Sequence, residues 1–244
     1  MSVTLTEELL AKVHRLEEDA GPSPGILYLT DEDFAAIRDR LLATRPRGDA
    51  IWVFAYGSLL WNPCFEAVEA REAVLHGWHR RFALWLTRWR GTRAFPGLML
   101  ALDRGGSCKG LIYRLAEDDL TGAIDTLLRR EIATVPPPYL ARWVAVRSAG
   151  EPLQALVFVA NRAAPAYAGP LAEEKTVEVL SRATGHLGSC ADYLRRTVLQ
   201  LENLKIRDAT LWRLQSKVAA HITALPAQWS LPVSTVELRH PCEG

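Results

Sequence analysis

The stretch Ile51-Trp-Val-Phe-Ala-Tyr56-Gly57-Ser58-Leu59 restricts the fold more than any other part of the chain. An apolar run rich in β-branched and aromatic residues reads as a buried strand. It stops at a glycine and a serine, so the strand brings backbone N–H groups and a hydroxyl to its end. Such a turn suits a charged ligand, a carboxylate in particular. No G-x-x-x-x-G-K-[ST] spacing is present, so the turn is not a phosphate loop. Ser58 is followed by Leu59-Leu60 rather than x-Gly, so it is not a nucleophile elbow either. Ser58 is therefore read as a binding hydroxyl.

Around this strand the texture changes along the chain. Before it, Thr4 with Glu7 opens a helical pattern through Leu9, Leu10, Val13 and Leu16, and Thr30 with Asp33 opens a second one. Residues 1–48 read as a helical extension packed on the main domain. From Ile51 on, strands are expected at 51–56, 73–86 with a bend near Gly77, 97–102, 108–114, 139–148 and 153–160. Asp103-Arg-Gly-Gly106 gives a hairpin signal between two of them. Segment 117–130 interrupts the strands with Leu120, Ile124, Leu127 and Leu128 at helical spacing. Helices follow at 171–184, 190–203 and 209–223, the last two opening at Ser189 and Asp208. Strands with one internal helix and flanking helices, without regular βαβ alternation, indicate an α+β domain with a strongly curved or closed sheet over 49–225. A tail of 226–244 is expected to be irregular.

Bulk properties exclude several function classes. The 244 residues carry 29 Lys and Arg against 28 Asp and Glu, so net charge recruits neither nucleic acid nor a membrane. No apolar run approaches the roughly 20 residues needed to span a bilayer, and the start has no secretory pattern. Cys64, Cys108, Cys190 and Cys242 are widely spaced, and free thiols in a reducing cytoplasm are the expected state. His76 and His79 are the close histidine pair, without a nearby set of ligands, so no metal is expected. Cytoplasmic residence follows from the same features.

Glu131 stands out chemically. An ordinary solvated helix end would explain it, but an acid near a helix C-terminus is unfavourable unless something holds it. The following Ile132 to Tyr139, with Pro136-Pro137-Pro138, is a stiff apolar connection. A carboxylate held against it would gain proton affinity suited to acid–base work. Arg90-Gly91-Thr92 with Phe95-Pro96-Gly97 forms a loop between strands, either a ligand contact or a spacer. Tyr167 lies in a loop between a strand and a helix, where its phenol can close a pocket. Residues 76–93 hold Trp78, Arg80, Arg81, Trp85, Arg88, Trp89 and Arg90. That stretch allows a non-enzymatic alternative, a nucleic-acid-binding module, although strand alternation would split the residues between two faces.

In their order, Val53-Phe-Ala-Tyr56-Gly57-Ser58-Leu59-Leu60-Trp61, Arg80-Arg81-Phe82, Arg90-Gly91-Thr92 with Pro96-Gly97, Leu128-Arg129-Arg130-Glu131, Tyr167-Ala-Gly169-Pro170 and Gly188 to Leu194 resemble the ChaC-type, glutathione-specific gamma-glutamylcyclotransferases. The resemblance spans roughly residues 51–223 by sequence inspection. It implies a small mixed β-barrel of the gamma-glutamylcyclotransferase-like type with surrounding helices. It also implies a lyase that degrades glutathione to 5-oxoproline and cysteinylglycine without cofactor or metal. Glu131 would be the single catalytic acid, and Tyr56, Gly57, Ser58 and Leu59 would grip the gamma-glutamyl unit. Arg90, Tyr139 and Tyr167 are the further substrate-binding candidates. A small-molecule substrate is the expected partner, with no nucleic acid and no membrane. Other gamma-glutamyl peptides or gamma-glutamyl amines are the alternative substrates.

Overall fold

The computed structural model describes residues 3–15, 17–46 and 50–226. Leu16, Arg47 to Asp49, and the tail from Ala227 with His240 and Cys242 lie outside the described residues. In chain order the elements are α1 (Glu7–Val13), β1 (Leu27–Tyr28), α2 (Asp31–Ala43), β2 (Trp52–Ala55), β3 (Ala67–Leu86), β4 (Gly97–Leu115), α3 (Leu120–Glu131), β5 (Thr134–Val135), β6 (Tyr139–Ser148), β7 (Glu151–Ala160), α4 (Glu173–Arg182), β8 (Thr184–Gly185), β9 (Gly188–Ser189), α5 (Cys190–Asn203) and α6 (Ala209–Ala224). The fold is mixed α+β. Two compact units share the chain: one takes the chain up to Pro24, Phe82–Met99 and the chain from Ala168 on, the other Gly25–Arg81 and Leu100–Tyr167.

The second unit is built on a sheet whose strand order, β2-β4-β3-β6-β7, closes on itself. β7 pairs in parallel with both β2 and β4, and β6 and β7 form a ten-rung antiparallel hairpin from Tyr139↔Ala160 to Ser148↔Glu151. All four residues of β2 are buried, as are Ala155 to Ala160 of β7. Strands covered on both faces lose the usual in–out alternation, which is why 51–56 reads as an unbroken apolar run. Trp52, Phe54 and Tyr56 join Leu75, Leu102, Ile112, Val146, Val157 and Val159 in one core. α3 contributes Ile124, Leu127 and Leu128, each fully buried, and such side chains stabilise by about 1.5–3 kcal/mol apiece.

The expected hairpin at 103–106 does not form. Residues 97–102 and 108–114 belong to one continuous strand, β4. Gly105 and Gly106 have φ of +104° and +67°, so the backbone bends there without reversing, as at a bulge. Gly77 bends β3 in the same way with φ +82°, and β3 begins at Ala67 rather than 73.

The other unit is helical. α4, α5 and α6 pack on one another, and α1 packs on α6. Ser189 and Asp208 cap α5 and α6 through their side chains, at Asp192 N and Leu211 N. The first helix starts two residues later than Thr4 suggests, capped by Thr6. Thr4 is otherwise engaged: its N–H and hydroxyl, with the Leu5 N–H, donate to Oε1 of the fully buried Gln215 at 3.0–3.1 Å. A long-range buried acceptor outcompetes a local cap. Residues up to Pro24 belong to this unit, and those from Gly25 on to the other.

Candidate active site

Glu131 does not follow α3, as the pattern suggests, but is its last residue. It stands four positions after Leu127 and seven after Ile124, so helical geometry puts it on the buried face. Its side chain is 13% exposed. Burial pushes the carboxyl above the usual range, and the Arg130 guanidinium, Nε at 3.4 Å from Oε1, offsets part of that. The acid thus combines restricted solvent access with raised proton affinity.

Arg130 also ties this acid to the turn after β2. Its Nη1 donates to the Asn62 carbonyl at 2.7 Å, and Asn62 N donates to the Ser58 carbonyl at 2.8 Å. Ser58–Leu60 forms one turn of 3₁₀ helix with Gly57 as its N-cap. The first donors of a helical turn have no carbonyl behind them within it, so the Ser58 and Leu59 amides open the turn. The end of α3 is thus joined to the turn after β2 through Arg130 and Asn62.

The strand end is held from behind by residues whose importance the sequence does not announce. Arg80 is 7% exposed and donates through Nε to the Tyr56 carbonyl at 2.6 Å and through Nη2 to the Lys109 carbonyl. A peptide's C=O and N–H point in opposite directions. Pinning the Tyr56 carbonyl therefore fixes the direction of the Gly57 N–H. The Tyr56 hydroxyl donates to the Phe158 carbonyl at 3.1 Å. Gly110 completes the support: a Cβ there would run into the Ala55 carbonyl oxygen and come within 3.0 Å of the Phe54 ring.

Two other candidates have structural partners. The Tyr139 hydroxyl donates to the Leu100 carbonyl at 2.8 Å. Tyr167 donates to Oδ2 of Asp103 at 2.9 Å. Asp103, only 1% exposed, also accepts from Arg81 at 3.0 Å and Arg162 at 2.7 Å. Burial acts to raise its proton affinity, but the bonds from Arg162, Tyr167 and the Arg104 N–H outweigh it and hold the carboxyl below its usual range. The Tyr167 phenol is pushed up by burial and by that acid. Asp103 was not legible as a site, because one acid near two glycines reads as a turn.

Arg90 belongs to the helical unit. Its Nη1 donates to the Ser189 carbonyl at 2.9 Å and Asp192 Oδ2 at 3.2 Å, and it lies over the Tyr193 ring. In the basic stretch 76–93, Arg80 and Arg81 are bound as described, and Arg88 makes a two-pronged contact to Asp19 at 2.6 and 2.7 Å. Among the described residues Cys64, Cys108 and Cys190 form no disulfide, no group of acids, histidines and cysteines could hold a metal ion, and no helix is long and apolar enough to cross a membrane.

Comparison with known proteins identifies relatives of this chain. The glutathione-specific gamma-glutamylcyclotransferase of Escherichia coli (strain K12) is 38% identical over 183 residues, 75% of this chain and 78% of that protein. The human glutathione-specific gamma-glutamylcyclotransferase 1 is 32% identical over 160 residues, covering 62% and 71%. Gamma-glutamylcyclotransferase 2-3 of Arabidopsis thaliana is 30% identical over 177 residues, covering 69% and 88%. The crystal structure of the yeast gamma-glutamyl cyclotransferase specific to glutathione shares the fold, with TM-score 0.65 at 22% identity over 71% of this chain and 97% of that one. The family model described as ChaC-like protein matches residues 51–221, and this chain belongs to that family.

Proposed function

We propose that the protein is a gamma-glutamylcyclotransferase that cleaves glutathione to 5-oxoproline and cysteinylglycine. The observation carrying this reading is the position of Glu131, a carboxylate on the buried face of α3 with raised proton affinity. Arg130 and Asn62 link it to the Gly57–Ser58 turn. The name of the Escherichia coli relative supplies the substrate. The closed sheet of β2, β4, β3, β6 and β7 is read as the family's small mixed barrel, with residues 1–48 as an addition to it and 226–244 as a tail.

In this mechanism the Gly57 to Leu59 amides and the Ser58 hydroxyl hold the gamma-glutamyl unit, with Tyr56 behind them, and Tyr139 and Tyr167 complete its binding residues. Ionised Glu131 takes a proton from the substrate's α-ammonium group. The freed amine attacks the gamma-carbonyl carbon, forming the ring C–N bond, and the charge passes to the carbonyl oxygen. Backbone donors at the turn stabilise that oxyanion. Its collapse breaks the bond to the cysteinyl nitrogen, which Glu131 protonates. The ring nitrogen sheds two protons and the departing nitrogen gains two, so neither water nor an electron is consumed. Holding amine and carbonyl in contact supplies much of the acceleration. A reducing cytoplasm, where glutathione keeps thiols reduced, is the matching compartment.

The alternative reading has other gamma-glutamyl peptides or gamma-glutamyl amines as substrates. Initial rates on glutathione, a gamma-glutamyl dipeptide and a gamma-glutamyl amine decide between them. Glutathione is expected to be turned over with the highest kcat/KM. Faster turnover of either other compound would replace the first reading with the second.

A further inference from the structure

Residues 27–38 run antiparallel to residues 125–135, making contacts at successive steps. Leu27 pairs with Val135 and Tyr28 with Thr134 in the β1–β5 ribbon. Leu29 N donates to the Ala133 carbonyl at 3.0 Å. Asp31 meets Arg129 at 2.7 Å, and the Phe34 ring lies 4.6 Å beneath the same guanidinium. One turn further on, Arg38 Nη1 spans both oxygens of Asp125 at 2.9 and 3.1 Å. Each step forward along the first segment is thus matched by a step back along the second. Glu131 falls inside this span, between Arg129 and Ala133, so it is held on both its helical and its ribbon side.

The grip is anchored at its far end, where Trp143 Nε1 of β6 donates to the Leu41 carbonyl of α2 at 3.2 Å. The contacts are unequal. Asp31 is 87% exposed and Arg129 48%, so that pair is screened by solvent and contributes little. Arg38 and Asp125 are 18% and 28% exposed, and their two-oxygen geometry fixes orientation as well as distance. The ribbon adds backbone hydrogen bonds on the other side of the acid. All of residues 27–38 precede the part matched by the family model, which begins at 51.

We infer that residues 27–38 are a brace that positions Glu131 for proton transfer, with Leu29 and Arg38 as its positioning residues. This rests on the cyclotransferase reading above. Two fixed points bracket the end of α3, and without them the last helical turn can fray away from the Gly57–Ser58 turn. Displacement of about 1 Å at a reacting group can cost on the order of 100-fold in rate. The residues assigned to substrate binding lie outside 27–38, so the brace should act on kcat and leave KM alone.

The test uses the full chain with Leu29→Pro, which removes the N–H donated to Ala133, with Arg38→Asp, which sets like charges together, and with the swap R38D/D125R. Steady-state kinetics on glutathione should show kcat lowered about tenfold or more in the first two, KM within about twofold, and kcat largely recovered in the swap. The carboxyl of Glu131, followed by carbon-13 NMR, should titrate lower in Leu29→Pro than in the wild type, as water reaches it. The charges on the facing helices are Asp31, Glu32, Asp33, Arg38, Asp39 and Arg40 of α2 and Asp125, Arg129 and Arg130 of α3. The wild type and L29P carry the same set, so the L29P shift reports solvation alone. Full kcat in both single variants would overturn the brace, as would a swap that restores nothing. If Leu29→Pro fails to fold, Arg38→Asp and its swap decide. If the wild type itself releases no 5-oxoproline, the catalytic reading fails separately. The L29P titration then decides the brace, and an unmoved midpoint in that folded variant sinks it.

Discussion

Glu131 occupies a position that a glutamic acid would leave if stability alone were selected. Its carboxyl is desolvated, and its proton affinity is raised above the ordinary value of 4.5. Between that value and the higher folded one, the native state binds more protons than the unfolded chain. Stability from this group is therefore lost as pH rises through that window, and the full penalty stands above it. Glu131→Gln should accordingly melt higher than the wild type at pH 7, with the gain vanishing below about pH 4, where both states are protonated. Calorimetric scans at both pH values check this. A variant that melts lower at pH 7 would mean that the carboxylate is stabilising where it sits. The acid was legible at this scale because three buried positions of α3 share its helical face. Arg80 and Asp103 were not, because a lone charged residue in a strand reads as surface until its buried partners are known.

At the scale of elements, unbroken apolar runs marked β2 and β7 well, and the capping residues Thr30, Ser189 and Asp208 marked three helix starts. Glycine was harder to interpret. Gly105 and Gly106 suggest a reversal, yet positive φ at successive residues also serves to bend one long strand. Gly110 carries no local signal at all, since what it permits is the approach of β4 to the Ala55 carbonyl of β2. Gly110→Ala must push β2 and β4 apart just before Tyr56. Overpacking of this kind costs about 1–3 kcal/mol, and each kcal/mol lowers Tm by about 2–4 °C in a chain of this size. The same variant should raise KM, because the displaced strand carries the turn that grips the substrate. A Tm equal to that of the wild type would show that the two strands have room to spare. The short ribbons β1–β5 and β8–β9 were invisible for a different reason: two residues are too few to establish a period.

For the whole molecule, each of the two compact units is assembled from stretches far apart in the chain. Contacts such as Thr4 and Leu5 on Gln215, more than 200 residues apart, leave no trace in local spacing. The family was more readable than the topology, because the ordered motifs from Tyr56 to Tyr167 lie within the matched stretch 51–221 while the packing depends on contacts far apart in the chain. The central claim concerns the reaction as a whole: the substrate's own amine, assisted by one carboxylate, cleaves the bond. It is tested most directly by mass spectrometry of the products formed from glutathione in oxygen-18 water by the wild type and by Glu131→Gln. The account predicts unlabelled 5-oxoproline with equimolar cysteinylglycine from the wild type and neither from the variant. Labelled glutamate from the wild type, or an undiminished rate in the variant, would contradict it.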